Sequence, residues 1–178
     1  MTRDDIPALL NKMRLNGEGV EIGVRFGEYS EHLLHYWICK KLYSIDPWVY
    51  IEDHSDGSNV SNEEQEKIYE KAKKTLGQYG SRSDIIRDFS ISASKRFKNQ
   101  SLDFVYIDAR HDYKHALEDI NLWLPKVRIG GILAGHDFLE GTWANTTFGV
   151  KKAVLELFPL GDLTITREHP PSWIYTKR

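Results

Sequence analysis

The chain has 178 residues, a length that suits one folded unit with a sizeable core. Hydrophobic residues make up 40% and charged residues 28%, a balance that excludes an intrinsically disordered chain. With 24 basic against 26 acidic residues the formal net charge is −2, so a general nucleic-acid or anionic-membrane binder is not expected.

Met1 to Asp5 lacks the basic and apolar regions of a signal peptide and runs into a short helix predicted over Ile6 to Leu15, ended by Asn16-Gly17. Gly19 to Val24 reads as a first strand, followed by Gly27 and an amphipathic helix to about Ile38. Cys39, the single cysteine, excludes an intrachain disulfide and a cysteine-built zinc site; it reads as a buried structural thiol in a reducing, cytoplasmic setting. Lys41 to Ile45 is a second strand, stopped at Asp46-Pro47 because proline has no amide hydrogen for a ladder.

Val49 to Asn62 is polar and turn-rich and reads as a long surface loop. Ser61 is a good N-cap for a helix that runs to Leu76 or Tyr79. Asp84 to Arg87 is a third strand, Ser92 to Phe97 a short helix, and Leu102 to Ile107 a fourth strand ending at Asp108. The spacing of Ala116, Leu117, Ile120 and Leu124 predicts a helix over Tyr113 to Leu124, stopped by Pro125. Gly130-Gly131 is read as a turn into a fifth strand, Ile132 to about His136. A last helix spans Phe148 to Phe158, and Leu163 to Arg167 with Trp173 to Thr176 forms a terminal β hairpin. Short apolar runs alternating with amphipathic segments are the rhythm of a mostly parallel α/β sheet. With neither repeats nor a linker, one domain over residues 1–178 is expected, and the apolar runs are too short to span a bilayer.

The strongest local signal is Val20-Glu21-Ile22-Gly23-Val24-Arg25-Phe26-Gly27, an apolar strand ending in an acid, then Gly-x-x-x-Gly, then a helix. Glycine lets the backbone turn sharply and approach a ligand closely. Dinucleotide binders use Gly-x-Gly-x-x-Gly to admit a pyrophosphate. Here Val24 replaces the middle glycine, and the Glu21 carboxylate would repel a pyrophosphate but suit a cation. Gly-x-x-x-Gly also arises from ordinary strand-to-helix packing. Asp46 ends the second strand roughly 20 residues further on, where a carboxylate can take both hydroxyls of a ribose. An isolated Asp there is more often a cap; coupled to the glycine turn, it favours a nucleoside ligand. Asp88-Phe89-Ser90 follows the third strand and can edge an adenine, although Ser90 or Ser92 can equally cap the next helix.

Together with Ile45-Asp46-Pro47, Asp103 to Asp108 and Gly130-Gly131-Ile132-Leu133, these motifs resemble the class I S-adenosylmethionine-dependent methyltransferases over about Gly17 to Phe158. The resemblance implies a Rossmann-like, seven-stranded methyltransferase sheet, mostly parallel with a C-terminal antiparallel hairpin and helices on both faces. It implies S-adenosylmethionine as cofactor, with Gly23 and Gly27 beside the methionine part, Glu21 near its amino group, Asp46 on the ribose and Asp88, Phe89 and Ser90 along the adenine. Arg25, Ser30, Pro47 and Asp108 are the further cofactor contacts expected.

Asp108-Ala109-Arg110-His111 and Gly135-His136-Asp137 follow adjacent strands and therefore open on one crevice. A hydroxyl acceptor needs a base or a metal to become a nucleophile, and histidine suits the first task near neutral pH. This stretch is similar to metal-dependent O-methyltransferases of the catechol and the macrocin or mycinamicin sugar types. That similarity implies His111 as base, with Asp108, Asp137 and His136 around Mg²⁺ or another divalent metal.

Two departures stand out: Phe138 occupies a place where catechol enzymes have Asn, and His136 one where sugar enzymes have an acid. Magnesium prefers oxygen ligands, so Mn²⁺, Zn²⁺ or no metal stays open. His111 could instead cap the helix near Asp112, and His136-Asp137 could stitch a strand end to its loop. Trp48 to Asn62 and Leu139 to Thr147, with Trp143, are the loops placed to choose a small-molecule or glycan acceptor. The Asn-Pro-Pro-Tyr sequence of amino-directed DNA methyltransferases is absent. An NAD(P)-dependent oxidoreductase, a non-catalytic cofactor-binding domain and a homodimer stay open as alternatives.

Overall fold

The apolar runs pair into strands and the amphipathic segments cover them. The computed structural model describes residues 1–52, 56–143 and 146–178. A 3-10 turn (Arg3–Asp5) leads into α1 (Ile6–Lys12), then β1 (Glu18–Ile22), α2 (Glu28–Tyr36), β2 (Lys41–Asp46) and α3 (Asn62–Leu76). Next come β3 (Ser83–Arg87), α4 (Ser90–Ser94), β4 (Leu102–Ile107), α5 (Tyr113–Trp123) and β5 (Val127–Gly135). The chain continues through β6 (Gly141–Trp143), β7 (Thr146–Phe148), α6 (Val150–Leu157), β8 (Leu163–Ile165) and β9 (Trp173–Thr176).

Seven strands form one sheet in the order β3-β2-β1-β4-β5-β9-β8, with β6 and β7 as a separate hairpin. The first five are mutually parallel, β9 runs antiparallel to β5, and β8 antiparallel to β9. The expected mostly parallel sheet with a terminal hairpin is what forms. Every residue of β4 is buried, as a central parallel strand covered on both faces requires. Its side chains alternate between two cores. Val105 and Ile107 join Val20, Ile22, Ile120 and Trp123 on one face, while Phe104 and Tyr106 join Leu33, Leu34, Ala72 and Leu76 on the other.

Local chemistry sets several boundaries. Ser61 caps α3 in a capping box with Glu64. Asp112 caps α5 by accepting from the His115 amide at 3.2 Å, so His111 is not the cap and its ring is turned elsewhere. Cys39 is buried, and burial pushes its thiol up, as a structural thiol should be.

Four expectations change. The fifth strand begins at Val127 rather than Ile132, and Gly130-Gly131 lies inside it, where the β4–β5 register shifts. A Cβ on Gly131 would lie 2.9 Å from the Asp103 carbonyl, so this glycine permits a bulge within a strand rather than a turn before it. The helix expected over Ser92 to Phe97 is Ser90–Ser94. Phe148, expected to open the last helix, instead pairs with Gly141, so the loop read over Leu139 to Thr147 contains a hairpin. Parts of the two loops assigned to acceptor choice, residues 53–55 and 144–145, lie outside the described residues. Among the described residues no helix is long and apolar enough to cross a membrane.

Candidate active site

The strand order reverses between β1 and β4, and there the carboxyl ends of β1, β2 and β4 open on a crevice of about 720 Å³. Gly23 makes this possible. It holds φ +83°, and a Cβ on it would fall 1.9 Å from the Asp108 carbonyl oxygen, so only glycine lets the ends of β1 and β4 meet. Glu21, Gly23, Arg25, Asp46, Pro47, Asp88, Phe89, Ser90, Asp108, His111, His136 and Asp137 all line the crevice. Ser30 sits behind it, and Gly27, at φ +84°, opens α2.

Asp46 is first a scaffold. Its Oδ2 accepts the amides of Val24 (2.9 Å) and Arg25 (3.0 Å), and its Oδ1 that of Trp48 (2.8 Å). The carboxylate expected on a ribose thus fixes the glycine turn, keeping on Oδ1 one further acceptor position for a hydroxyl. Glu21 is 1% exposed and accepts from the Ser30 hydroxyl, which is 2.7 Å from that of Ser44. Burial pushes its carboxyl up to about 8, so without a cation beside it Glu21 is largely neutral at pH 7.

The adenine-side residues divide. Phe89 keeps half its surface exposed at the crevice wall. Asp88 accepts from the Phe89 amide and from Arg96 (3.0 Å). The Ser90 hydroxyl is committed to Asp119 and to the indole of Trp123. Asp119, which sequence reasoning missed, is buried on the crevice wall, with its carboxyl pushed up to about 6 by desolvation. Its signal was an acid in α5 beside Ala116, Ile120 and Trp123, on the face that enters the core.

At the β4 and β5 tips the imidazole of His111 lies between two carboxylates, Nε2 3.3 Å from Asp56 and Nδ1 3.1 Å from Asp137. Phe148 of the unexpected hairpin stacks on the ring at 5.2 Å. Burial alone would lower the His111 pKa, but the hydrogen bond to Asp56 and the charges of Asp137 and Asp108 outweigh it and raise the pKa above its ordinary value. Asp108 is pushed up by desolvation, in spite of nearby His136 and Arg3. Asp137 sits at φ +51°, a strained conformation of the kind that clusters at functional sites.

Asp108, His111 and Asp137 offer ligand atoms within 4.8 Å of one another. His136, expected in that set, flanks it with Nδ1 3.2 Å from Asp137 and 3.8 Å from Asp108. Two carboxylates and an imidazole suit a divalent cation chemically. Phe138 is buried in the core and takes no part. Arg3 and Asp56 are further crevice residues that the sequence reading missed. Both lie far along the chain from the residues they meet, where spacing carries no signal.

The described lining carries nine carboxylates against three arginines, an electrostatic preference for a cationic ligand. A nucleoside-binding crevice at the switch point of an α/β sheet, walled in this way, suits a sulfonium nucleoside rather than a pyrophosphate. The family model described as a methyltransferase domain matches residues 20–138. Among solved structures the chain resembles a caffeoyl-CoA O-methyltransferase candidate from Staphylococcus aureus, at TM-score 0.71 and 15% identity over 98% of this chain and 82% of that one.

It also resembles an O-methyltransferase from Bacillus cereus in complex with SAH (TM-score 0.67, 12% identity, 98% and 80% covered). A third similar structure is an rRNA-methylase candidate from Clostridium thermocellum (TM-score 0.63, 12% identity, 98% and 96% covered). At these identities the likeness shows the fold. No curated protein matches the sequence. The chain belongs to the methyltransferase-domain family and is a class I S-adenosylmethionine-dependent methyltransferase.

Proposed function

We propose that the chain methylates an oxygen of a small hydroxylated acceptor, a sugar or glycan hydroxyl in preference to a catechol, with His111 as the base. The observation that carries this reading is the imidazole held between Asp56 and Asp137 beside Asp108, at the edge of the cofactor crevice. Two of the similar structures also bear O-methyltransferase names. The acidic lining disfavours a polyanionic acceptor such as RNA.

When bound, the cofactor supplies an electrophilic methyl carbon. In the described site both ring nitrogens donate to carboxylates, so the ring is an imidazolium. Nε2 gives its proton to solvent as an acceptor hydroxyl displaces Asp56, and Asp137, retaining Nδ1–H, leaves Nε2 as proton acceptor. The hydroxyl proton passes to Nε2 as the oxygen takes the methyl group, and the imidazolium formed is stabilised by Asp137. A positioned base of this kind contributes about 10²–10⁴-fold. Asp108 and Asp137, with His136 alongside, would hold a divalent cation, which would act as a Lewis acid on the acceptor oxygen.

The distances within Asp108, His111 and Asp137 favour a second reading, with His111 as a metal ligand. Methyl transfer to a panel of sugars and phenols, measured together with Mn²⁺ affinity by titration, separates the two. The His111→Ala variant should lose at least 100-fold in turnover while keeping its Mn²⁺ affinity. Loss of both would make His111 a ligand. Full activity in His111→Ala and Asp108→Ala would remove the mechanism.

A further inference from the structure

The crevice must also receive an anion. The methionyl end of the cofactor carries its carboxylate one carbon from the ammonium that Glu21 faces, in a region crowded with acids. Several of the turn's donors are already engaged. In the glycine turn the amide of Gly23 donates to the Ile45 carbonyl (2.9 Å) and that of Gly27 to the Val24 carbonyl (2.9 Å), while the Val24 and Arg25 amides are held by Asp46.

Of the charged groups that act on Glu21, namely Asp108, Arg3 and Asp46, Arg3 is the cation. Its guanidinium lines the crevice, lies 4.5 Å above the Tyr29 ring, and reaches Asp108 Oδ2 with Nη1 at 3.4 Å. That long ion pair and a hydrogen bond to the Tyr106 side chain engage part of the guanidinium, whose five donors leave others for a second carboxylate.

Arg3 is also fixed from behind. Its amide donates to Glu168 Oε1 at 3.0 Å, its carbonyl accepts from the Tyr29 hydroxyl at 3.2 Å, and the Arg167 amide donates to the Met1 carbonyl at 3.1 Å. Glu168 is itself held by the Thr166 hydroxyl at 2.6 Å. Arg3 is thus held in place on the wall of the crevice.

We propose that Arg3 binds the α-carboxylate of the cofactor's methionyl group, so that the segment before α1 completes the cofactor site and selects an amino-acid-bearing nucleoside. The inference rests on the cofactor and is independent of the acceptor and of the base.

Binding of S-adenosylhomocysteine and of its decarboxylated analogue, measured by calorimetry on the full chain, tests it. The wild type should prefer the carboxylate-bearing ligand by about 10- to 100-fold. Arg3→Ala should erase that preference, weakening S-adenosylhomocysteine by the same factor and changing the analogue less than about threefold. Arg3→Lys, which keeps the charge and loses the fork, should reduce the preference without erasing it, and it supplies the test if the alanine variant does not fold. Equal weakening of both ligands, or an unchanged ratio in both variants, would overturn the assignment and leave Arg3 as a partner of Asp108 only.

Discussion

Glu21 is a buried carboxyl on the crevice wall whose protonation is set by desolvation. Its folded-state carboxyl titrates near 8 because burial disfavours the charge, against an ordinary value of 4.5. Between these pH values the folded chain holds a proton that the unfolded chain has released. Stability of the unliganded protein therefore falls as pH rises from about 4.5 to about 8. Asp119, raised from 3.8 to about 6, adds a smaller loss of the same sign over its own window. The Glu21 contribution is on the order of 5 kcal/mol at full effect, from 1.36 kcal/mol per pKa unit. Glu21→Gln mimics the protonated side chain, so it should flatten this slope and raise the melting temperature at pH 8. An undiminished slope in urea unfolding of the variant would show that Glu21 is not the group responsible. The variant should bind the cofactor more weakly, because a neutral amide cannot pair with the ammonium.

Strand tips meeting across one glycine set the geometry at the scale of elements. Gly23 joins the ends of β1 and β4, where a methyl group would overlap the Asp108 carbonyl. Gly23→Ala should cost more than about 3 kcal/mol, from a left-handed φ combined with a displaced backbone, and should abolish cofactor binding. Denaturant unfolding checks the first and calorimetry the second. A fully stable variant that binds normally would mean that the two tips are not packed as described.

The same scale shows what the sequence could and could not disclose. β4 was legible because a parallel strand buried on both faces leaves a nearly continuous apolar run, and Ser61 announced α3 through its cap. The β6–β7 hairpin was not: its three-residue strands are mostly exposed, so they carry no apolar alternation. Gly130-Gly131 looked like a turn because glycine marks bulges and turns alike. Asp46 ends β2 on the crevice wall, as its spacing suggested, yet its bonds to the turn amides depend on side-chain rotation that no spacing encodes.

For the whole molecule, the fold carries its function at the place where strand order reverses, and distant segments close the site. Arg3 comes from before α1, Asp56 from the loop after β2, and Phe148 from the hairpin after β5. Their convergence is a property of the tertiary fold, which is why local motifs revealed the strand-end residues and not these.

The most direct test is a calorimetric titration of the full chain with S-adenosylhomocysteine at pH 7, in two buffers of different ionisation enthalpy. A ligand ammonium placed against a neutral Glu21 should drive its ionisation, releasing close to one proton per ligand bound in the wild type and none in Glu21→Gln. Absence of binding, or binding with the same proton exchange in both proteins, would contradict the placement of the cofactor at the β1 strand end.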